Sequence, residues 1–164
     1  MRLTATRYQE IAALHRVTRA RDADHGSIGA HRYHDGLSDC GERDLRDLNI
    51  PVEVVVCPIV REPDGLAMSS RNVYLDTEQR KAATVLYRSL QAAKETYENG
   101  ERDAEKLRQV IKDVLASEPL AEVQYVSCAD YETLEELDEI KEKALLSMAV
   151  FIGKTRLIDN FVLG

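Results

Sequence analysis

The sequence has no apolar run near the ~20 residues that cross a bilayer, so no membrane span is expected. Its opening, MRLTATRYQE, lacks an apolar core of the kind a secretory leader carries, so no secretory signal is expected either. Cysteine is sparse: Cys40, Cys57 and Cys128 are odd in number and far apart, which excludes a disulfide framework and a C-x-x-C metal site and suits a reducing cytoplasm. Lysine is missing from the first eighty residues; the first is Lys81, and every basic side chain before it is an arginine or one of the four histidines. The net charge of −7 argues against general binding to nucleic acid or an anionic membrane, while leaving room for a local basic site that holds a phosphate. What is present is ordinary for a folded chain: 164 residues, 44% hydrophobic and 31% charged, enough for one compact domain and not comfortably for two. No internal repeat or low-complexity tract is seen.

Composition divides the chain near residue 50. Residues 1–49 hold His15, His25, His31 and His34, and residues 22–44 are rich in Gly, Asp and His with few aliphatics to bury, so this stretch reads as loop or poorly ordered. Before it, Tyr8, Ile11, Ala12, Leu14 and Val17 are spaced for one face of a short helix. From Pro51 onward each segment has a pattern. Val52–Val60 is a β-branched run expected to form a strand buried on both faces, with Pro58 near its end. A loop, Arg61–Tyr74, carries Pro63 and Gly65. Asp76 and Gln79 have capping-box spacing, and Leu86, Leu90, Ala93 and Tyr97 make one apolar stripe of a helix that Gly100 stops. Ala104, Leu107, Ile111 and Val114 line a second helix that ends at Ser117–Pro119. Val123–Ala129 reads as a strand, Tyr131–Glu142 as a solvated acidic connection with at most one helical turn, and Ala144–Ile152 and Thr155–Leu163 as strands joined by a type II′ turn at Gly153-Lys154. The expected fold is α+β, a small antiparallel sheet with helices on one face.

The segment Val60-Arg-Glu-Pro-Asp-Gly-Leu-Ala-Met-Ser-Ser-Arg-Asn72 is the most informative. It lies past the carboxyl end of a buried strand and leads toward a helix, the place where open α/β sheets bind ligands. Ser69 and Ser70 bring hydroxyls and backbone N–H groups, Arg71 a planar fork of donors, and the nearby helix N-terminus partial positive charge. Two readings fit these residues, a phosphate site and a plain capped loop.

Arg61-Glu-Pro-Asp-Gly-Leu-Ala-Met-Ser-Ser-Arg-Asn72 resembles the signature of the pantothenate synthetase (pantoate–β-alanine ligase) family, whose Met-Ser-Ser-Arg core is a version of the KMSKS loop of adenylate-forming nucleotidyltransferases. Ala144-Leu-Leu-Ser-Met-Ala149 and Gly153-Lys-Thr-Arg-Leu-Ile-Asp-Asn160 resemble the family's closing hairpin, and the likeness begins near Arg46-Asp-Leu-Asn-Ile-Pro-Val52. The resemblance implies an ATP- and Mg2+-dependent ligase in which pantoate's carboxylate attacks the α-phosphate of ATP and the amine of β-alanine then displaces AMP. It implies that Met68, Ser69, Ser70 and Arg71 contact ATP, and that Val60 contacts its base or ribose. The partners implied are these small molecules, with no nucleic acid and no membrane, in the cytoplasm.

The family's first domain is Rossmann-like and carries an H-x-G-H motif that this sequence does not contain; His34-Asp35-Gly36 supplies three positions and Leu37 breaks the fourth. Cys40-Gly-Glu-Arg-Asp44 faintly resembles a family Gly-Glu-Lys-Asp stretch. Residues 1–50 therefore read as an altered or truncated remnant of the Rossmann-like domain, and 51–164 as the carboxy-terminal domain. Two function readings stand, a ligase and a non-catalytic nucleotide-binding or protein-interaction domain of the same origin. A homodimer or other partner is one route to a complete site. The strand Val52–Val60 needs neighbours, which residues 1–50 supply or else leave exposed to aggregation.

Blander readings hold elsewhere. His31-x-x-His34 with His25 lacks a clear third metal ligand, so no metal is assigned. Gly153-Lys154-Thr155 mimics the end of a P-loop, but Met148 stands where its first glycine belongs. Cys57, Cys128, Tyr125 and Phe161 read as core, and Asp159 and Asn160 as strand polar groups that need structural hydrogen bonds.

Overall fold

The computed structural model describes residues 59–164 in full and, before them, only the backbone of three short strands. These are β1 (Val17–Arg19), β2 (His31–Arg32) and β3 (Glu53–Val55). The chain separates into two units at Ile59/Val60.

In the first unit β1 is central and pairs antiparallel with both neighbours, in the order β2-β1-β3. Of the strand expected over Val52–Val60, Glu53–Val55 is described as strand and Val60 lies outside it; Cys57 and Pro58 fall outside the described residues. One edge of β3 is taken by β1, with Val17 opposite Val55. Val17 is thus a strand residue, not part of a helix face, and His31 lies in a strand rather than a loop. Two-residue alternation cannot be told from the start of a helical stripe when so few positions are sampled. Tyr8, Ile11, Ala12, Leu14, His15, His25 and His34 lie outside the described residues.

The second unit follows the expected α+β order. A 3-10 helix, Ser70–Tyr74, leads to α1 (Thr77–Ala82), α2 (Val85–Glu98) and α3 (Ala104–Ala116), and then to β4 (Ala121–Asp130), β5 (Ala144–Ile152) and β6 (Thr155–Leu163). The sheet is antiparallel in the order β4-β5-β6. Residues directly opposite one another share a face. Leu146 therefore stands in a row with Cys128 and Phe161, and Met148 with Val126 and Asp159. This face meets the helices: Leu86 and Leu90 of α2, Leu107, Ile111 and Leu115 of α3, and Leu146, Met148 and Val150 of β5 form one buried cluster. Each fully buried leucine in such a cluster contributes about 2 kcal/mol. Cys128 is part of it, and burial pushes its thiol up to about 11, the state of an inert thiol.

The capping box is present. Asp76 accepts hydrogen bonds from the backbone N–H of Glu78 and Gln79, and the Gln79 side chain accepts from Asp76 N–H. The single helix expected after it is broken in two at Ala83–Thr84. There Thr84 N–H donates to the carbonyl of Lys81 rather than that of Arg80, and the Thr84 hydroxyl bonds the same oxygen at 2.8 Å, which tightens the turn. Between β5 and β6, Gly153 has φ +60° and Lys154 has no positive φ, as a type II′ turn requires and a type I′ turn does not.

The acidic connection is not a solvated run. Leu137 N–H donates to Cys128 O and Asp130 N–H to Glu135 O, so the segment pairs along the edge of β4 that β5 leaves open. Ile140 N–H donates to Arg102 O and Ala104 N–H to Asp138 O, which ties the start of α3 to the same segment. Leu134 and Ile140 are buried within it. Arg108 of α3 donates to the carbonyl of Leu137 at 3.0 Å and to Glu136 at 3.3 Å, joining helix and loop.

Candidate functional site

The loop after Val60 is built in two parts. Val60–Met68 is a tight hairpin. Met68 N–H donates to Val60 O at 2.9 Å, Glu62 N–H to Leu66 O at 2.8 Å, and Arg61 bridges Ala67. Its tip is the turn Glu62-Pro63-Asp64-Gly65, closed by Gly65 N–H to Glu62 O at 2.9 Å, with Pro and Gly where a type I turn places them. Gly65 has φ +90° and lies so close to α2 that a Cβ there would stand 2.0 Å from Tyr87 Cδ1. Asp64 adds a two-bond ion pair to Arg80 of α1, at 2.7 and 3.1 Å, and that pairing holds its carboxyl below the usual carboxylate range.

The second part is Met68–Asn72. Ser69 caps the 3-10 helix, its hydroxyl accepting from Arg71 N–H at 3.2 Å. Asn72 closes the loop by donating from Nδ2 to Ala67 O at 3.0 Å. Met68, Ser70 and Arg71 are exposed and Ser69 half-buried. Arg71 Nη1 donates to the carbonyl of Arg156 on β6 at 3.4 Å, the long end of the range, so its guanidinium remains available to an anion. The five sequence-predicted residues fall together: Val60 meets Met68 through the backbone, and Ser69, Ser70 and Arg71 follow. Val60, Met68, Val73 and Tyr74 are all exposed apolar side chains of this loop, Val60 at 67% and Met68 at 56%.

One expectation is revised. A helix N-terminus adds little here. The helix that directly follows is a five-residue 3-10 piece, too short to sum a macrodipole, and the start of α1 is already satisfied by the carboxylate of Asp76. The positive charge this loop offers an anion is therefore that of Arg71, supported by hydroxyls.

Sequence reasoning did not assign the structural roles that Arg61 and Asn72 have in this loop. Arg61 donates to both oxygens of Asp159 on β6, at 2.7 and 3.0 Å, and to Gly65 O at 3.1 Å, while its guanidinium lies 4.6 Å from the centre of the Tyr87 ring. Asp159 is 1% exposed; burial pushes its carboxyl above the usual range, and Arg61 pulls it back. The expectation that Asp159 makes a structural bond holds, and its buried position on a strand was the signal that a cationic partner had to exist.

The family model for pantoate–β-alanine ligase matches residues 42–162. The chain belongs to the pantoate–β-alanine ligase family. Pantothenate synthetase of Roseiflexus castenholzii is 54% identical over 138 residues, 81% of this chain and 50% of that protein. The Chloroflexus aggregans pantothenate synthetase is 63% identical over 120 residues, 73% of this chain and 43% of that one. A crystal structure of pantothenate synthetase from Thermus thermophilus superposes with a TM-score of 0.70 at 42% identity, covering 73% of this chain and 43% of that chain. The chain thus spans about half the length of the curated ligases it matches. The matched residues hold the whole Met68–Arg71 loop, the helices and the closing hairpin.

Proposed function

We propose that this chain carries the nucleotide-contacting half of an ATP-dependent ligase that joins pantoate to β-alanine. The observation that carries the reading is the Met68–Arg71 loop of the family, with Met68, Ser70 and Arg71 exposed and Arg71 only lightly held. Arg71 would meet phosphate oxygens with its fork of donors, Ser69 and Ser70 would add hydroxyls, and the exposed Val60 and Met68 would lie against the base or ribose. A carboxylate oxygen of pantoate attacks the α-phosphorus and pyrophosphate leaves; the β-alanine nitrogen then attacks the acyl carbon, loses a proton, and AMP leaves. Arg71 serves the first step by balancing charge as the α–β bridge breaks.

Among the described residues no three His, Cys, Asp or Glu side chains gather as a metal site. Magnesium bound with the triphosphate would supply further charge neutralisation there. Among the described residues no helix is long and apolar enough to cross a membrane. An ATP-consuming reaction on small acids suits the cytoplasm, and a homodimer would be one way to bring further walls to the site.

A second reading, a nucleotide-binding module without ligase chemistry, is favoured by the lack of an H-x-G-H run in these 164 residues. Calorimetric titration with MgATP tests what the two share: Arg71→Ala should weaken binding about tenfold, the loss of a charge-assisted contact. Equal affinity in the two proteins would remove Arg71 from the site. Pyrophosphate release that requires pantoate separates the readings, since a module without the chemistry releases none.

A further inference from the structure

Asp159 stands on the helix-facing side of β6, in a row with Met148 and Val126, where an aliphatic side chain would fill the space. An isolated buried ion pair adds little to stability compared with a well-packed apolar pair of the same volume. What the carboxylate adds is direction. Its two oxygens take Nη1 and Nη2 of Arg61, whose Nη1 also reaches Gly65 O, and the face of Tyr87 lies beside the same guanidinium. Arg61 is therefore fixed from three sides. Its backbone is paired with Ala67, and the carbonyl of Ala67 is held in turn by Asn72 Nδ2. Met68, Ser69, Ser70 and Arg71 are strung between those two anchored residues. The far end of the loop refers to the same strand, since Arg71 donates to Arg156 O, three residues before Asp159.

We propose that Arg61 and Asp159 are positioning residues: their ion pair sets where the Met68–Arg71 loop stands over β6 and so where Arg71 meets the nucleotide. The proposal rests on the nucleotide reading of that loop. Asn72 transmits the position by closing the loop from Ala67, and a mere stabilising pair would have no such path.

The test uses the full chain with Arg61→Met and Asp159→Leu combined, which removes both charges and keeps apolar volume, beside Arg61→Lys, which keeps the charge and loses the fork. Three readouts are taken: melting temperature, amide exchange at Glu62, Gly65, Met68 and Asn72, and MgATP affinity. The double variant should melt near the wild type, while its loop amides exchange about tenfold faster than those of β5 relative to wild type and its MgATP affinity falls about tenfold. Loop amides that keep their protection in the folded double variant overturn the proposal. So does unchanged MgATP affinity in that variant when Arg71→Ala weakens binding, a result that leaves the nucleotide reading standing. No effect of Arg71→Ala in a chain that binds MgATP strikes the reading itself, and the positioning role with it. Should the double variant fail to fold, Arg61→Lys decides by the same measures.

Discussion

Gly65 is required for two separate reasons, and a substitution there tests both. Its φ of +90° belongs to the region that L side chains avoid, and a Cβ would stand 2.0 Å from Tyr87 Cδ1 and 2.4 Å from Cε1. Gly65→Ala is expected to cost about 2–4 kcal/mol, seen as a lower midpoint in urea unfolding. Gly100 is the control, because it shares a positive φ, +102°, but has nothing within 4 Å of an added Cβ. Gly100→Ala should cost about 1 kcal/mol, the backbone strain alone. Adding Tyr87→Ala to Gly65→Ala should relieve the clash and leave the strain. The Pro63-Asp64-Gly65 run announces a turn at sequence level. The neighbour that makes the glycine obligatory is twenty-two positions away and becomes visible only when α2 packs against the loop.

At the scale of elements, the acidic connection shows how charge can mislead. Glu132, Glu135, Asp138 and Glu139 do face water, but the backbone beneath them pairs with β4 and with the start of α3. Asp130 organises the turn that begins it, accepting from Glu132 N–H at 2.9 Å and Thr133 N–H at 2.8 Å. The bond from Thr133 chiefly, with that from Glu132, lowers its carboxyl below the ordinary 3.8. A carboxyl depressed in the folded state contributes stability that is present above its unfolded value and lost as pH falls through its folded value. Melting temperature should therefore drop as pH falls below the ordinary 3.8, and Asp130→Asn, which can still accept both bonds, should flatten that part of the profile. An unchanged slope in the variant would assign the acid loss to other carboxylates. Gln124 shows a second effect of this scale. It is the extra residue of a bulge in β4, between Val123 and Tyr125, and its side chain accepts from Arg156 Nε at 2.7 Å. Alternation from Glu122, which shares a face with Phe151 and Arg156, already turns Gln124 to that side, and the bulge changes the register of the residues that follow.

At the scale of the whole molecule, the second unit has one core shared by two helices and three strands, and it should unfold as one. Leu146 is fully buried at the centre of the sheet, on the middle strand, among residues of α2 and α3. Leu146→Ala should cost about 2–5 kcal/mol, with the urea midpoint lowered and the slope unchanged. Loss of strand and helix signals at different urea concentrations would show that the layers do not depend on each other. The site sits at one edge of this core. Its stem is fixed by Arg61 and Asp159 while Val60, Met68, Val73 and Tyr74 remain exposed.

Local pattern alone determined the order of helices and strands after Val60, the capping box at Asp76, the hairpin turn at Gly153 and the family signature from Arg61 to Asn72. Each depends on residues within a turn or two of one another, and short-range sterics and hydrogen bonding are what sequence spacing records. Tertiary structure alone decided that Asp159 grips Arg61 across ninety-eight positions, that Gly65 must yield to Tyr87, and that the acidic segment adds an edge to β4. A buried carboxylate has to find a cation, but which cation it finds is set by the packing of strands and helices and not by the order of residues along the chain.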